Sequence, residues 1–238
     1  MASNSGIGFF NILAFWGIFF GSPFEKSNHY RWFDSLADWE GFQDTEKEKA
    51  SKFKGEEYYV KKNCYGQSQT GRQLSLLSSY WDQRLLWNDI FNKPEKPMVA
   101  QVFNWLISYF INKKTHKSTT QSRNIGSLMV LLICGDLVEA NILPMPSASE
   151  YAKSVVKMGK GSKDGMEICG LVEKRGSLEQ FCAAFASLDQ ALQNELSEEE
   201  RKAMGYNVIM LEHTLCKIKR ILGSGITEEV LYSEIEVV

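Results

Sequence analysis

The sequence predicts an all-α protein, a helical domain or two small helical lobes with an apolar N-terminal segment. Three observations lead there. Apolar residues recur at helical spacing in one stretch after another, as in Leu74, Leu77, Trp81, Leu85 and Ile90. Two pairs, Ser177 with Gln180 and Ser197 with Glu200, have the capping-box spacing that opens a helix. Strand-like alternation is sparse and the chain holds only five prolines.

Composition narrows the class. With 44% hydrophobic residues, 12% aromatic residues and a net charge of −2 over 238 residues, the chain can bury a sizeable core and does not read as disordered. Its five cysteines (64, 134, 169, 182 and 216) are odd in number and widely spaced. They read as reduced thiols in a cytosolic setting and not as a disulfide framework.

The elements follow in order. Residues 7–24 form an uncharged run up to Phe24, about 27 Å long if helical. That is near the lower limit for crossing a bilayer. No Lys or Arg precedes the run, so it is unlike a cleaved signal peptide. Phe9, Phe10, Phe15 and Trp16 supply its apolar bulk, and Gly17 with Gly21 forms a small-xxx-small pair that lets helices approach. Three destinations are open: a membrane, a neighbouring chain, or the protein's own core. Membrane contact is the leading expectation. Asn11 stands inside the run and needs a hydrogen-bonding partner wherever the run is buried.

Residues 28–42 place Trp32, Phe33, Leu36, Trp39 and Phe42 on one helical face, with Asp34, Asp38 and Glu40 opposite. Aromatics after an apolar run suit a membrane boundary, and the Lys26 and Arg31 flank would leave the body of the chain in the cytoplasm. Residues 44–54 alternate in charge and read as an exposed helix or linker. A polar break at 65–72 precedes a helix over 73–91, which Pro94 and Pro97 stop.

Residues 98–111 predict an aromatic core helix with Val102, Phe103, Trp105, Leu106, Tyr109 and Phe110. A polar basic stretch, NKKTHKSTTQSR, follows. Residues 125–143 are apolar all round until Asp136 and Glu139, a buried helix emerging into water. Pro144 is the best internal boundary. The expected organisation is an apolar segment at 1–24, a helical lobe at 25–143, a second at 144–225 and an acidic tail at 226–238.

In the second lobe a short helix at 149–158 is followed by GKGSKDG, read as an inter-helix loop. Two amphipathic helices come next. One is expected to bury Leu178, Phe181, Phe185, Leu188, Leu192 and Leu196, the other Met204, Val208, Leu211, Leu215, Ile218 and Leu222.

Candidate chemistry is thin. GKGSKDG lacks the spacing of a phosphate-binding loop. His213 and Cys216 share a helical face, and Cys169 and Cys182 would have to complete a zinc site without any CxxC pair. Asp136 and Glu139 have no histidine placed beside them. No catalytic, cofactor or metal residue is therefore assigned, and no enzyme is expected. The tail VLYSEIEVV carries a Tyr-x-x-apolar pattern at Tyr232 and Ile235, and a C-terminal Val238 of the kind that sheet-edge domains capture. A packed or frayed chain end is the plainer reading of those residues.

Charge is segregated. Residues 92–123 hold six basic side chains (Lys93, Lys96, Lys113, Lys114, Lys117 and Arg123) and one acid, Glu95. Beyond them, 11 basic residues face 17 acidic ones. Lys113, Lys114, Lys117 and Arg123, interspersed with hydroxyls, suit phosphate contacts, and Trp105, Tyr109 and Phe110 lie just ahead of them.

The run TTQSRNIGSLMVLL is similar to a short piece of bunyavirus nucleoproteins, and the resemblance is confined to that run. It implies an all-helical, two-lobed, RNA-coating protein with a protruding N-terminal arm. The leading functional expectation is a non-enzymatic, membrane-associated helical scaffold or interaction protein with a cytoplasmic body. The alternative is a soluble RNA-binding nucleoprotein or capsid-like protein. There the N-terminal segment is an oligomerisation arm, the chain is a homo-oligomer, and the partner is single-stranded RNA.

Overall fold

The computed structural model describes residues 5–19, 31–52, 81, 84–112, 117–118, 125–158 and 161–223. The fold is all-α, with one antiparallel pair of two-residue strands among the described residues. The chain divides into two compact units, Met1–Pro144 and Met145–Val238.

The first unit is organised by its N-terminal helix. Helix α1 (Ser5–Ala14) runs into a π-helical turn, Phe15–Phe19. It lies against α3 (Arg84–Phe91), and Gly6 permits the approach: a Cβ there would come closer than 3.0 Å to the Arg84 carbonyl oxygen. The Gly6 N–H donates to Asn88 Oδ1 at 2.5 Å. Asn11 finds the partner its position demands. Its Nδ2 donates to the Phe33 carbonyl at 3.0 Å, and its Oδ1 accepts from the Phe33 N–H at 2.9 Å. An amide thus reads an extended backbone residue on both edges, and neither buried group is orphaned.

Around this clasp the aromatics close. Phe10 meets Trp39 and Trp81 edge-on, while Phe19 stacks on Phe33 at 6.0 Å. Trp39 and Phe42 come from α2 (Leu36–Lys52), whose distal half takes in most of the charged 44–54 stretch. Trp32, expected on the buried face, is 55% exposed and donates to Asp34 Oδ1 at 2.8 Å. The helix starts only at Leu36, so residues 31–34 do not follow the helical repeat that would have turned Trp32 inward.

Helix α4 (Val99–Phe110) packs on α5 (Ser127–Glu139) and buries Val99, Val102, Phe103, Leu106 and Phe110. From α5, every residue from Met129 to Gly135 is buried. Its end turns through Asn141 at φ 57°, a left-handed residue that asparagine tolerates. The N–H groups of Ile142 and Leu143 then return to the Leu137 carbonyl.

The second unit is assembled by close helix approach. It comprises α6 (Ala148–Met158), α7 (Gly161–Ile168), α8 (Leu178–Glu195), α9 (Glu198–Ala203) and α10 (Val208–Gly223). The stretch read as a flexible GKGSKDG loop is mostly helix: α7 begins at Gly161. Its glycines are packing residues. A Cβ on Gly165 would strike the Leu215 carbonyl, and one on Gly161 would strike Cys216 Sγ. Gly161 and Gly165 are four apart, so they form a small-residue stripe that seats α10.

Helix α8 packs on α6 through Phe181 and Phe185. The expected apolar stripe is cut short. Leu178 is 47% exposed, and Leu188, Leu192 and Leu196 are only half-buried. Asp189 is the buried residue in that half, accepting from the Tyr206 hydroxyl at 2.8 Å and from Gln193 at 2.7 Å. Burial, with the Asp189 carboxylate beside it, pushes the Tyr206 hydroxyl well up from its ordinary value. Met204 is half exposed because α9 ends there; Gly205 at φ 60° turns the chain, and Asn207 Oδ1 accepts the Ile209 and Met210 N–H groups to start α10.

Candidate nucleic-acid interface

The two sets of candidate contacts have different fates. Phe9 and Phe10 are each 1% exposed, Trp16 and Gly17 are buried, and Phe15 is half-buried edge-on to Trp16. Phe9 sits on Trp87 at 4.0 Å between ring centroids and on Phe91 at 5.5 Å. The segment expected to meet a membrane or a partner chain is, as far as Phe19, interior to its own unit. The physical reason is the density of matching aromatics that residues 31–42 and 81–91 bring to it, together with the Asn11 clasp. Gly21 lies outside the described residues. Among the described residues, no helix is long and apolar enough to cross a membrane.

Asp136 was expected at a solvated helix end. Its Oδ2 accepts from Trp16 Nε1 at 2.6 Å, a bond that fastens the π-helical turn to α5. One carboxylate of the Asp136 and Glu139 pair is thereby engaged in a structural hydrogen bond.

The basic set follows α4 in sequence. Immediately after Phe110, strand β1 (Ile111–Asn112) pairs with β2 (Lys117–Ser118), with Ile111 opposite Ser118 and Asn112 opposite Lys117. Lys113 and Lys114 lie between the strands in sequence and, like Arg123, fall outside the described residues. The chain re-enters the described structure at Ile125, which is fully buried at the start of α5. Phe110, also fully buried, anchors the other end. Residues 111–124 therefore stand in sequence between two fully buried residues. They carry Lys113, Lys114, Lys117 and Arg123 with no acidic residue.

Three aromatics of α3 and α4 adjoin. Trp87 is fully buried and lies edge-to-face with Trp105 (4.4 Å between centroids) and with Tyr109 (5.9 Å). Trp105 and Tyr109 are half-buried, whereas Phe110 belongs wholly to the core. The Trp87 indole N–H is enclosed without a hydrogen-bond partner.

Elsewhere the chemistry is structural. Cys216 donates to the buried Glu212 carboxylate at 3.0 Å, and His213 Nε2 is 3.8 Å from the same group. Cys169 is exposed and Cys182 half-buried. Among the described residues no three His, Cys, Asp or Glu side chains gather as metal ligands. Burial alone pushes the Cys134 thiol far up, so it stays protonated and is no nucleophile. Tyr232, Ile235 and Val238 lie outside the described residues.

No protein-family model, curated protein or solved structure matches this chain.

Proposed function

We propose that this chain is a non-enzymatic helical protein that binds single-stranded RNA through residues 111–124. One observation supports the reading: an acid-free segment with four cations is flanked in sequence by two fully buried residues, Phe110 and Ile125. A cationic segment in a chain of net charge −2 is a local feature, and its field attracts polyanions without making the whole surface sticky. Lysines neutralise phosphates, and the neighbouring hydroxyls of Thr115, Ser118, Thr119, Thr120 and Ser122 are of the kind that hydrogen-bond phosphate oxygens. Of the N-terminal run that would carry a membrane role, Phe9, Phe10, Leu13, Trp16 and Phe19 are buried within the unit.

The test is salt-dependent binding of a fluorescent single-stranded RNA. Each phosphate neutralised contributes about 0.7 to the slope of log K against log salt. Changing Lys113, Lys114 and Lys117 together to Ala is expected to flatten that slope by about 2 and to weaken binding severalfold or more at low salt. Binding of the triple variant with an unchanged slope would overturn the reading.

A further inference from the structure

We draw no further inference here: the strongest candidate, the exposed apolar surface of Ile168 and Leu171 at the end of α7, carries nothing because nothing in the structure shows what covers it.

Discussion

The two units solve the same problem, burying apolar surface between helices, by opposite means. The first unit does it with large rings. Phe9, Phe10, Phe33, Trp39, Trp87 and Phe110 are nearly or wholly inaccessible, and they come from four separate parts of the chain. The second does it by removing side chains, letting α7 and α10 touch at Gly161 and Gly165. The first is a long-range solution, in which residues near position 10 complete contacts with residues near 33, 87 and 136. The second has a local part, the capping boxes that open α8 and α9, while Gly161 and Gly165 of α7 meet Cys216 and Leu215 of α10 about 50 positions on. Tolerance should differ accordingly. A ring can tilt to absorb a small change, whereas a carbonyl seated against a glycine cannot.

The largest effect should come from breaking the long-range solution at its polar centre. Asn11→Leu keeps the branched heavy-atom skeleton but leaves the Phe33 N–H and carbonyl buried without partners, at about 1–3 kcal/mol each. A loss of about 2–5 kcal/mol from the first unit is expected, and the second unit should be unaffected. All six tryptophans (16, 32, 39, 81, 87 and 105) lie in the first unit, so their fluorescence reports its urea unfolding alone. A leucine variant that unfolds at the parent midpoint would mean that the clasp adds nothing to the apolar contacts around it.

Next comes the glycine stripe. Gly165→Ala drives a methyl group into the Leu215 backbone, and α7 and α10 must separate, costing about 1–3 kcal/mol. Gly161→Ala meets only the Cys216 thiol, which can rotate away. It should cost less than about 1 kcal/mol, and Cys216→Ala should remove that cost. The readout is helical ellipticity lost on heating with no change in the tryptophan transition. Equal costs at the two glycines would show that the helices separate regardless of what each Cβ meets.

What could be read from the sequence divides along the same line. Both capping boxes are formed, and helices run through the described parts of the periodic stretches, because a cap or a repeat is decided within a few residues; of the helix expected over 73–91, residues 73–80, 82 and 83 lie outside the described residues. The expected buried face of residues 178–196 failed where a charged residue, Asp189, found a tyrosine 17 positions on and replaced a leucine as the buried group. The destination of the N-terminal run was undecidable locally. An apolar helix has the same composition whether lipid, another chain or its own aromatics cover it. The one usable signal was Asn11, a polar side chain that needs a geometrically exact partner, and a folded backbone supplies one more readily than lipid does. GKGSKDG was misread because glycine marks both turns and close helix contacts, and only the partner helix distinguishes them. At the RNA-binding candidate, the charge and the neighbouring aromatics were legible, but not which rings stay half-open: Trp105, Tyr109 and Phe110 all pack against Trp87, and of these Phe110 alone is fully buried.

The smallest effect concerns the local solution, and pH separates its parts. Ser177 Oγ accepts the Gln180 N–H at 3.2 Å, and Gln180 Oε1 accepts the Ser177 N–H at 2.7 Å. Ser177→Ala should cost the second unit about 1 kcal/mol at neutral pH. The Glu179 carboxylate is held below its ordinary value by its own backbone N–H and then by the Ser177 hydroxyl. A carboxylate with a lowered folded-state value adds stability above its unfolded-state pKa, near 4.3, and that contribution is lost as pH falls through the folded-state value. Removing the hydroxyl takes away part of this contribution. The gap between parent and variant should therefore be widest at neutral pH and narrow on acidification, levelling at the part due to the Gln180 cap, which does not titrate. Thermal unfolding followed by circular dichroism from pH 7 to pH 3 measures it. A gap that stays constant across that range would assign the whole effect to the Gln180 cap and none to Glu179.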